Sequence, residues 1–302
     1  MDSGTTKTDA ESTVFTGDNV VNLGASERAK RIAESKSVTV RSRLHCPLLT
    51  SSKALPSNIK IHVALTKNSD KFLLITDVED CRVEIEDIFL EVTYIRPTDI
   101  FHNLIENRLQ RQPIPYFISK PELIIKPISV SGRIARINQI FPGKIPRHAF
   151  FVVQRSSDFE GSYDSNGFAF QPYKQFSLSV NGEPLFADPL EINYETKDGE
   201  RIYGENGQFL QTLYKVIGKY GKSACLINSD NFQQNFMVGV SFAGDRSSTK
   251  SSYLSPQTHA STELTIDFGY DTNVSHEFLL LVYAVHDSLV KIDSTRSIEI
   301  ID

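Results

Sequence analysis

The sequence predicts an all-β fold, an antiparallel β-sandwich with two short helices, and three observations predict it. Many short segments alternate apolar with polar residues and are separated by Gly, Asn, Ser and Pro clusters, the pattern of half-buried strands joined by turns. Only two stretches carry a helical period, too few for the alternating strands and helices of a parallel sheet. Residues 150–190 read as two strands joined by an aromatic-rich loop and closed by a hairpin turn.

Residues 1–35 are rich in Ser, Thr, Asp, Glu and Lys, bury too little apolar surface to offset the entropy of ordering, and are expected to form a flexible arm with a short helix near 25–33. Alternation begins at Val38-Thr39-Val40 and recurs at Ile59, Ile61 and Val63, with Pro47 and Pro56 bracketing a loop between them. In 83–94 the apolar parity changes from odd (Val83, Ile85) to even (Ile88, Leu90, Val92, Tyr94), so a β-bulge is expected near Glu86-Asp87.

A first helix is expected from Asp99 to Arg111. Thr98 is placed to cap it, Ile100, Phe101, Leu104, Ile105 and Leu109 form one stripe, and Pro113 and Pro115 end it. Phe150–Val153 is apolar without alternation, as in a strand covered on both faces. The loop after it carries Phe159, Tyr163, Phe168, Phe170 and Tyr173. In the next strand Phe176, Leu178 and Val180 alternate with Ser177 and Ser179, and Asn181-Gly182 supplies two residues that accept positive φ.

A second helix is expected over 207–220, with Phe209, Leu210, Leu213, Tyr214 and Ile217 on its buried face, Gly221 as its cap, and an open end of the sandwich beneath it. Further strands are expected around 121–134, 192–195, 236–242, 262–268, 277–285 and 298–301, with a Ser/Thr-rich loop at 244–261.

Composition is that of an ordinary globular chain: 302 residues, 40% hydrophobic and 23% charged. The net charge of −5 gives no general attraction to nucleic acid or to an anionic membrane, so neither is expected as a partner. The longest apolar run, 278–285, is too short to span a bilayer, and the polar N-terminus does not read as a secretion signal. Cys46, Cys81 and Cys225 are odd in number and scattered, which suits free thiols in a reducing compartment.

Several constellations resemble chemical motifs, and each has a simpler reading. Gly218-Lys219-Tyr220-Gly221-Lys222-Ser223 ends like a phosphate-binding loop but has Val216 where a glycine is needed, and it closes a helix instead of opening one. Asp164-Ser165-Asn166-Gly167 starts like a calcium loop without its distal glutamate. The seven histidines show no metal-ligand spacing, and no serine sits in a nucleophile elbow. Glu84, Glu86, Asp87 and Glu91 mark the wet face of a strand. No catalytic, cofactor-binding or metal-binding residue is assigned.

Three blocks, in one order, resemble the major capsid protein, or hexon, of Polinton-like and adintovirus-type elements, a double jelly-roll family. The first is Val83-Glu84-Ile85-Glu86-Asp87-Ile88-Phe89-Leu90-Glu91-Val92. The second is the phrase Gly161-Ser162-Tyr163, Asn166-Gly167-Phe168-Ala169-Phe170, then Ser179-Val180-Asn181-Gly182. The third is Leu281-Val282-Tyr283-Ala284 running into Ile292-Asp293-Ser294-Thr295-Arg296. The resemblance implies a jelly-roll sandwich organised as a disordered arm over 1–35, the remnant of a first roll with its helical connector over 36–117, and a complete second roll over 118–302. It also implies a structural, non-enzymatic subunit of a virus-like shell, without cofactors, that forms homotrimeric capsomers, contacts neighbouring capsid proteins and resides in the virion, or otherwise inside the cell in cytoplasm or nucleus and not secreted. The family's chains begin well upstream, and most of their first roll has no counterpart here. Two alternatives fit the same strands: a β-sandwich binding module for glycan or protein using the 159–173 aromatics as a stacking platform, and a truncated, degenerate capsid gene product.

Overall fold

The computed structural model describes residues 30–49, 51, 53–74, 80–128, 130–131, 133–141, 143–160, 170–192, 194–197, 200–203, 207–220, 227, 232, 236–242, 261–269 and 277–301. Its strands, in chain order, begin with β1 (Ile114–Ile128), β2 (Val130–Ser131), β3 (Ile134–Asn138), β4 (His148–Arg155) and β5 (Gln175–Val180). They continue with β6 (Glu183–Pro184), β7 (Leu190–Glu191), β8 (Tyr194–Lys197) and β9 (Glu200–Tyr203). The last are β10 (Val238–Ser241), β11 (Thr262–Asp267), β12 (Phe278–Ile292) and β13 (Ile298–Ile301). Two helices of substance, α1 (Asp99–Arg111) and α2 (Gly207–Tyr220), stand where the periodicity placed them.

The strands form two principal sheets, β1-β12-β4-β10 with β13 on β12, and β2-β3-β11-β5-β6 with β7 on β5; β8 and β9 make a separate ribbon. Among the described residues every pairing is antiparallel. Taking β1, β3, β4, β5, β7, β10, β11 and β12 as the principal strands, the first pairs with the last, the second with the seventh, the third with the sixth and the fourth with the fifth. That is a long hairpin rolled upon itself, the jelly roll.

The inner faces of the two sheets close over one core that includes Phe151, Val153, Phe176, Leu178, Leu264, Ile266, Leu280 and Val282, all fully or almost fully buried. Alternation explains the side chains: Phe176 and Leu178 face inward while Ser177 and Ser179 do not. In β4 the burial is nearly continuous, as its unbroken apolar run predicts. The β5–β6 turn has Asn181 at φ 54° and Gly182 at φ 81°, both left-handed as a two-residue hairpin requires, and the Asn181 side chain accepts the Ser261 N–H at 3.0 Å.

Helix α2 packs on β10 closely enough that a Cβ added at Gly239 would lie 3.0 Å from Leu213 Cα. It seats Phe209, Leu210, Leu213 and Val216 in the core, while Tyr214, expected on the buried face, is exposed and donates its hydroxyl to the Ile227 carbonyl at 2.6 Å. The buried line therefore turns from 209 and 213 to 216, one helical turn onward, and leaves 214 on the flank. Gly221 lies outside the described residues.

The N-terminal third departs furthest from expectation. Among the described residues no strand precedes Ile114. The segments 38–40, 59–63 and 83–94 form no strand and join no ladder, so the bulge near 86–87 has no sheet to sit in. Alternation makes a residue row suitable for a sheet face, but a strand exists only when a neighbouring edge supplies its backbone partners. The Thr98 side chain makes no capping bond; only its carbonyl accepts, from the His102 N–H. Leu109 alone of the α1 stripe is buried, with Ile100, Phe101 and Leu104 all more than half exposed. The expected arm and its short helix fall mostly outside the described residues; Ala33–Ser35 is a single 3-10 turn.

Candidate functional site

Two surface features stand out among the described residues, an edge that refuses strands and a set of exposed apolar side chains. The edge is β1. It pairs with β12 over its whole length, from Ile114 opposite Ile292 to Ile128 opposite Phe278, and among the described residues its other side is open. Successive residues of an antiparallel strand point their N–H groups alternately toward and away from the partner. Pro115, Pro121 and Pro127 share one parity inside this continuous ladder, so all three missing donors fall on the open side. An incoming strand would find no N–H at three places along the fifteen-residue edge, which blocks edge-to-edge association.

The exposed apolar set lies on 36–104. Ile85, Ile88, Leu90, Val92 and Tyr94 are each at least half exposed, and so are Val40, Ile61 and Leu65. Two acidic residues of this stretch are partnered within the chain: Arg41 reaches Glu91, and Arg82 lies 2.7 Å from Glu84. Asp70 accepts the Val83 N–H at 3.0 Å and Lys67 Nζ at 2.6 Å. The bond from Lys67 holds the Asp70 carboxyl below its ordinary range, helped by the Val83 N–H.

This segment is fastened to the sandwich at one corner. Leu48, Leu55 and Ile59 pack on Tyr116, Val290 and Ile292, and the Tyr116 hydroxyl donates to the Ala54 carbonyl at 2.9 Å. Burial pushes that phenol above its usual range. Arg296 completes the clamp: Nε donates to the Ser57 carbonyl at 2.8 Å and Nη2 to Glu106 Oε1 at 2.7 Å. Its position is set by the β12–β13 turn, where Asp293 Oδ1 accepts the Thr295 hydroxyl and the N–H groups of Thr295 and Ser297, and Arg296 takes φ 65°. The Thr295 hydroxyl is the chief reason the Asp293 carboxyl lies below its ordinary range. The Asp293-Ser294-Thr295-Arg296 block, noticed only as a sequence likeness, is thus a turn that aims an arginine.

A small cavity of about 270 Å³ lies between β1, β12 and the 141–144 loop, floored by Ile124 and Phe141 and rimmed by Glu122, Lys144 and His286. His286 Nε2 and Glu122 Oε2 are 3.4 Å apart, and the adjacent Arg147–Asp287 pair is separated by 3.3 Å. Burial raises the Asp287 carboxyl, while Arg147 opposes the rise.

Other sequence candidates are dispersed. Gly218, Lys219 and Tyr220 end α2, while 221–223 and 164–167 lie outside the described residues. His45, His62 and His102 are exposed, His148 is buried at the start of β4, and among the described residues no cluster of His, Cys, Asp and Glu is arranged to hold a metal. Cys46 and Cys81 are not joined to each other in a disulfide. Among the described residues no helix is long and apolar enough to cross a membrane. Of the loop aromatics, Tyr173 is fully buried against Phe176, Phe209 and Phe236, Phe170 packs partly buried on the core, and Phe159 is half-buried. The Tyr173 and Phe170 rings are committed to packing; Tyr163 and Phe168 lie outside the described residues.

No family model matches the chain, and no curated protein matches it. Solved structures do. A chain in the 3.5 Å cryo-EM structure of the Sputnik virophage matches with 12% identity and a TM-score of 0.35, over 63% of this chain and 39% of that one. The crystal structure of the mavirus major capsid protein matches with 9% identity and a TM-score of 0.33, over 69% of this chain and 44% of that one. The chain thus spans less than half the length of either.

Proposed function

We propose that this chain is a structural shell subunit, a capsid protein of a virus or virus-derived element whose residues act by packing and not by catalysis. The observation that carries the reading is the pairing of a rolled sandwich having a proline-blocked edge with many exposed apolar side chains on the described residues of 36–104. Monomeric proteins rarely expose contiguous apolar patches beyond a few hundred Å². A fold that forbids random strand addition while keeping an apolar face open is suited to association at defined surfaces. The three sequence blocks shared with the Polinton-like and adintovirus-type capsid family support the same reading and extend it to a trimeric capsomer within a virion, with neighbouring capsid proteins as partners. They likewise suggest that 36–117 corresponds to late strands and the connector of a first roll.

The reading is tested by electron microscopy of the purified full chain, concentrated and brought to high salt. Shells or hexagonally packed sheets are expected. A chain that stays monomeric and unfolds cooperatively, and that binds a glycan or peptide panel with micromolar affinity, would replace the shell reading with that of a binding module.

A further inference from the structure

We propose that the outer face of the sheet formed by β1, β12 and β4 receives helix α1 of a second copy of this chain. The inference goes beyond the shell reading by naming the two surfaces that meet, and its failure is separable from that reading's.

The ladder register fixes the sheet face. Ile124, Ile128, Leu280, Val282, Phe151 and Val153 belong to the core, so the residues that alternate with them point outward. Those residues are apolar as well: one row across the three strands is Leu123-Tyr283-Phe150, and the next is Ile125-Leu281-Val152. Leu123, Ile125 and Tyr283 are 55%, 43% and 39% exposed. The same register on the other sheet gives outer rows of Arg136-Thr265-Ser177 and Asn138-Glu263-Ser179, the polar pattern of a wetted face. Strands that are apolar on both faces are strands covered on both. One helix already covers the β10 end of this outer face: Gly239 pairs with Phe150, and a Cβ added there would lie 3.0 Å from Leu213 Cα in α2. The β1 end stands open.

Helix α1 has the matching surface. Its C-terminal half is seated through Leu109, whereas Ile100, Phe101 and Leu104 gather on one exposed side at i, i+1 and i+4. The sheet face is uncharged there too, since the outward positions from Pro121 to Pro127 and from Leu279 to Val285 hold no charged residue. The chain's own helix does not reach this face. Glu106 is held 2.7 Å from Arg296, in the turn that follows the Ile114–Ile292 end of the ladder. Leu123 lies nine ladder positions away from that end, about 30 Å at ~3.3 Å per residue. Ile100 lies only about 9 Å along the helix axis from Glu106 at ~1.5 Å per residue. The two open surfaces therefore satisfy each other between copies. A contact between two different surfaces passes from copy to copy and closes into a ring where the rotation permits, which suits a three-fold capsomer.

The test uses two variants of the full chain, Ile100→Glu/Leu104→Glu on the helix and Leu123→Glu/Ile125→Glu on the sheet, all at exposed positions. Molar mass is measured by light scattering at matched concentrations. Each variant alone is expected to fall below the wild-type mass, and their equimolar mixture to regain a twofold higher mass, because the intact sheet of one meets the intact helix of the other. Independently of how the variants fold, a photo-cross-linking residue at position 104 of the otherwise wild-type chain should join residues 119–127 or 279–283 of a differently isotope-labelled copy. A wild-type monomer, a variant that keeps the wild-type mass, a mixture without the regained mass, or cross-links confined to one chain would overturn the proposal. Shells that form from a chain whose helix variant keeps its mass would overturn this contact and leave the shell reading standing. Regained mass from a wild type that never forms shells would support this contact and sink that reading.

Discussion

Gly239→Ala measures how tightly α2 is seated on the sandwich. The new methyl would stand 3.0 Å from Leu213 Cα, 3.3 Å from Leu213 Cδ1 and 3.4 Å from Val216 Cβ. The nearest of these is backbone, so no rotamer change relieves it, and either the helix or β10 must move by several tenths of an ångström. That movement loosens Phe209, Leu213 and Val216, which are essentially inaccessible to solvent. Overpacking of this kind costs about 1–3 kcal/mol, offset by the ~0.4–1 kcal/mol that losing a glycine's freedom in the unfolded chain returns, for a net destabilisation of about 1–2 kcal/mol. Urea denaturation should show the midpoint fall at constant slope. Gly143→Ala is the control, because nothing lies within 4 Å of its added Cβ. An unchanged midpoint for Gly239→Ala, or an equal fall for Gly143→Ala, would refute the packing argument.

Tyr173→Phe should leave stability equal or raise it by ~1 kcal/mol on thermal unfolding, since the buried hydroxyl has no hydrogen-bond partner among the described residues and its removal ends a desolvation cost. Phe170→Ala should cost about 2–3 kcal/mol, below the usual range for a fully buried phenylalanine because Phe170 is only partly covered; an unchanged midpoint would return the aromatic loop to a ligand-binding role. Arg296→Ala should release 53–59 from the sandwich at a cost of about 1–2 kcal/mol, read as faster proteolysis within that stretch while amide protection of β12 persists. Arg147→Met should raise the Asp287 carboxyl further, by NMR titration, because it deletes the main group opposing burial. A carboxyl raised on folding contributes most below its unfolded value and loses that contribution as pH rises through the folded one, so the variant's stability should fall across a window that starts near pH 3.8 and extends upward.

Much of the sandwich was legible because its signals are local. Asn181-Gly182 specifies its own turn, the alternation of 176–180 and 262–268 needs only a core to point at, and the periods of 99–111 and 207–220 carry their own boundaries. The failures share a physical cause. The row at 59–63 and, with one change of parity, the row at 83–94 alternate as β5 does, yet alternation is a statement about faces and is silent about whether a backbone partner is present. The α1 stripe is amphipathic for the same reason that α2 is, but α2 packs on β10 while, among the described residues, most of the α1 stripe is exposed. The assignment of Tyr214 over Val216 to the core could have been avoided, since 209, 213 and 216 lie closer to one line. The six-residue spacing of Pro115, Pro121 and Pro127 was visible in the sequence, but its meaning depends on the β1–β12 register. The Arg296 clamp and the Arg147–Asp287 pair join residues 190 and 140 positions apart and left no local signal.

Single-particle averaging of the soluble species formed by the full chain tests the central claim most directly. A shell subunit predicts particles with three-fold symmetry and a pseudo-hexagonal outline, in which the sandwich of 114–301 repeats around the axis. Monomers at tens of micromolar, with the 85–94 row covered within one chain, would contradict it.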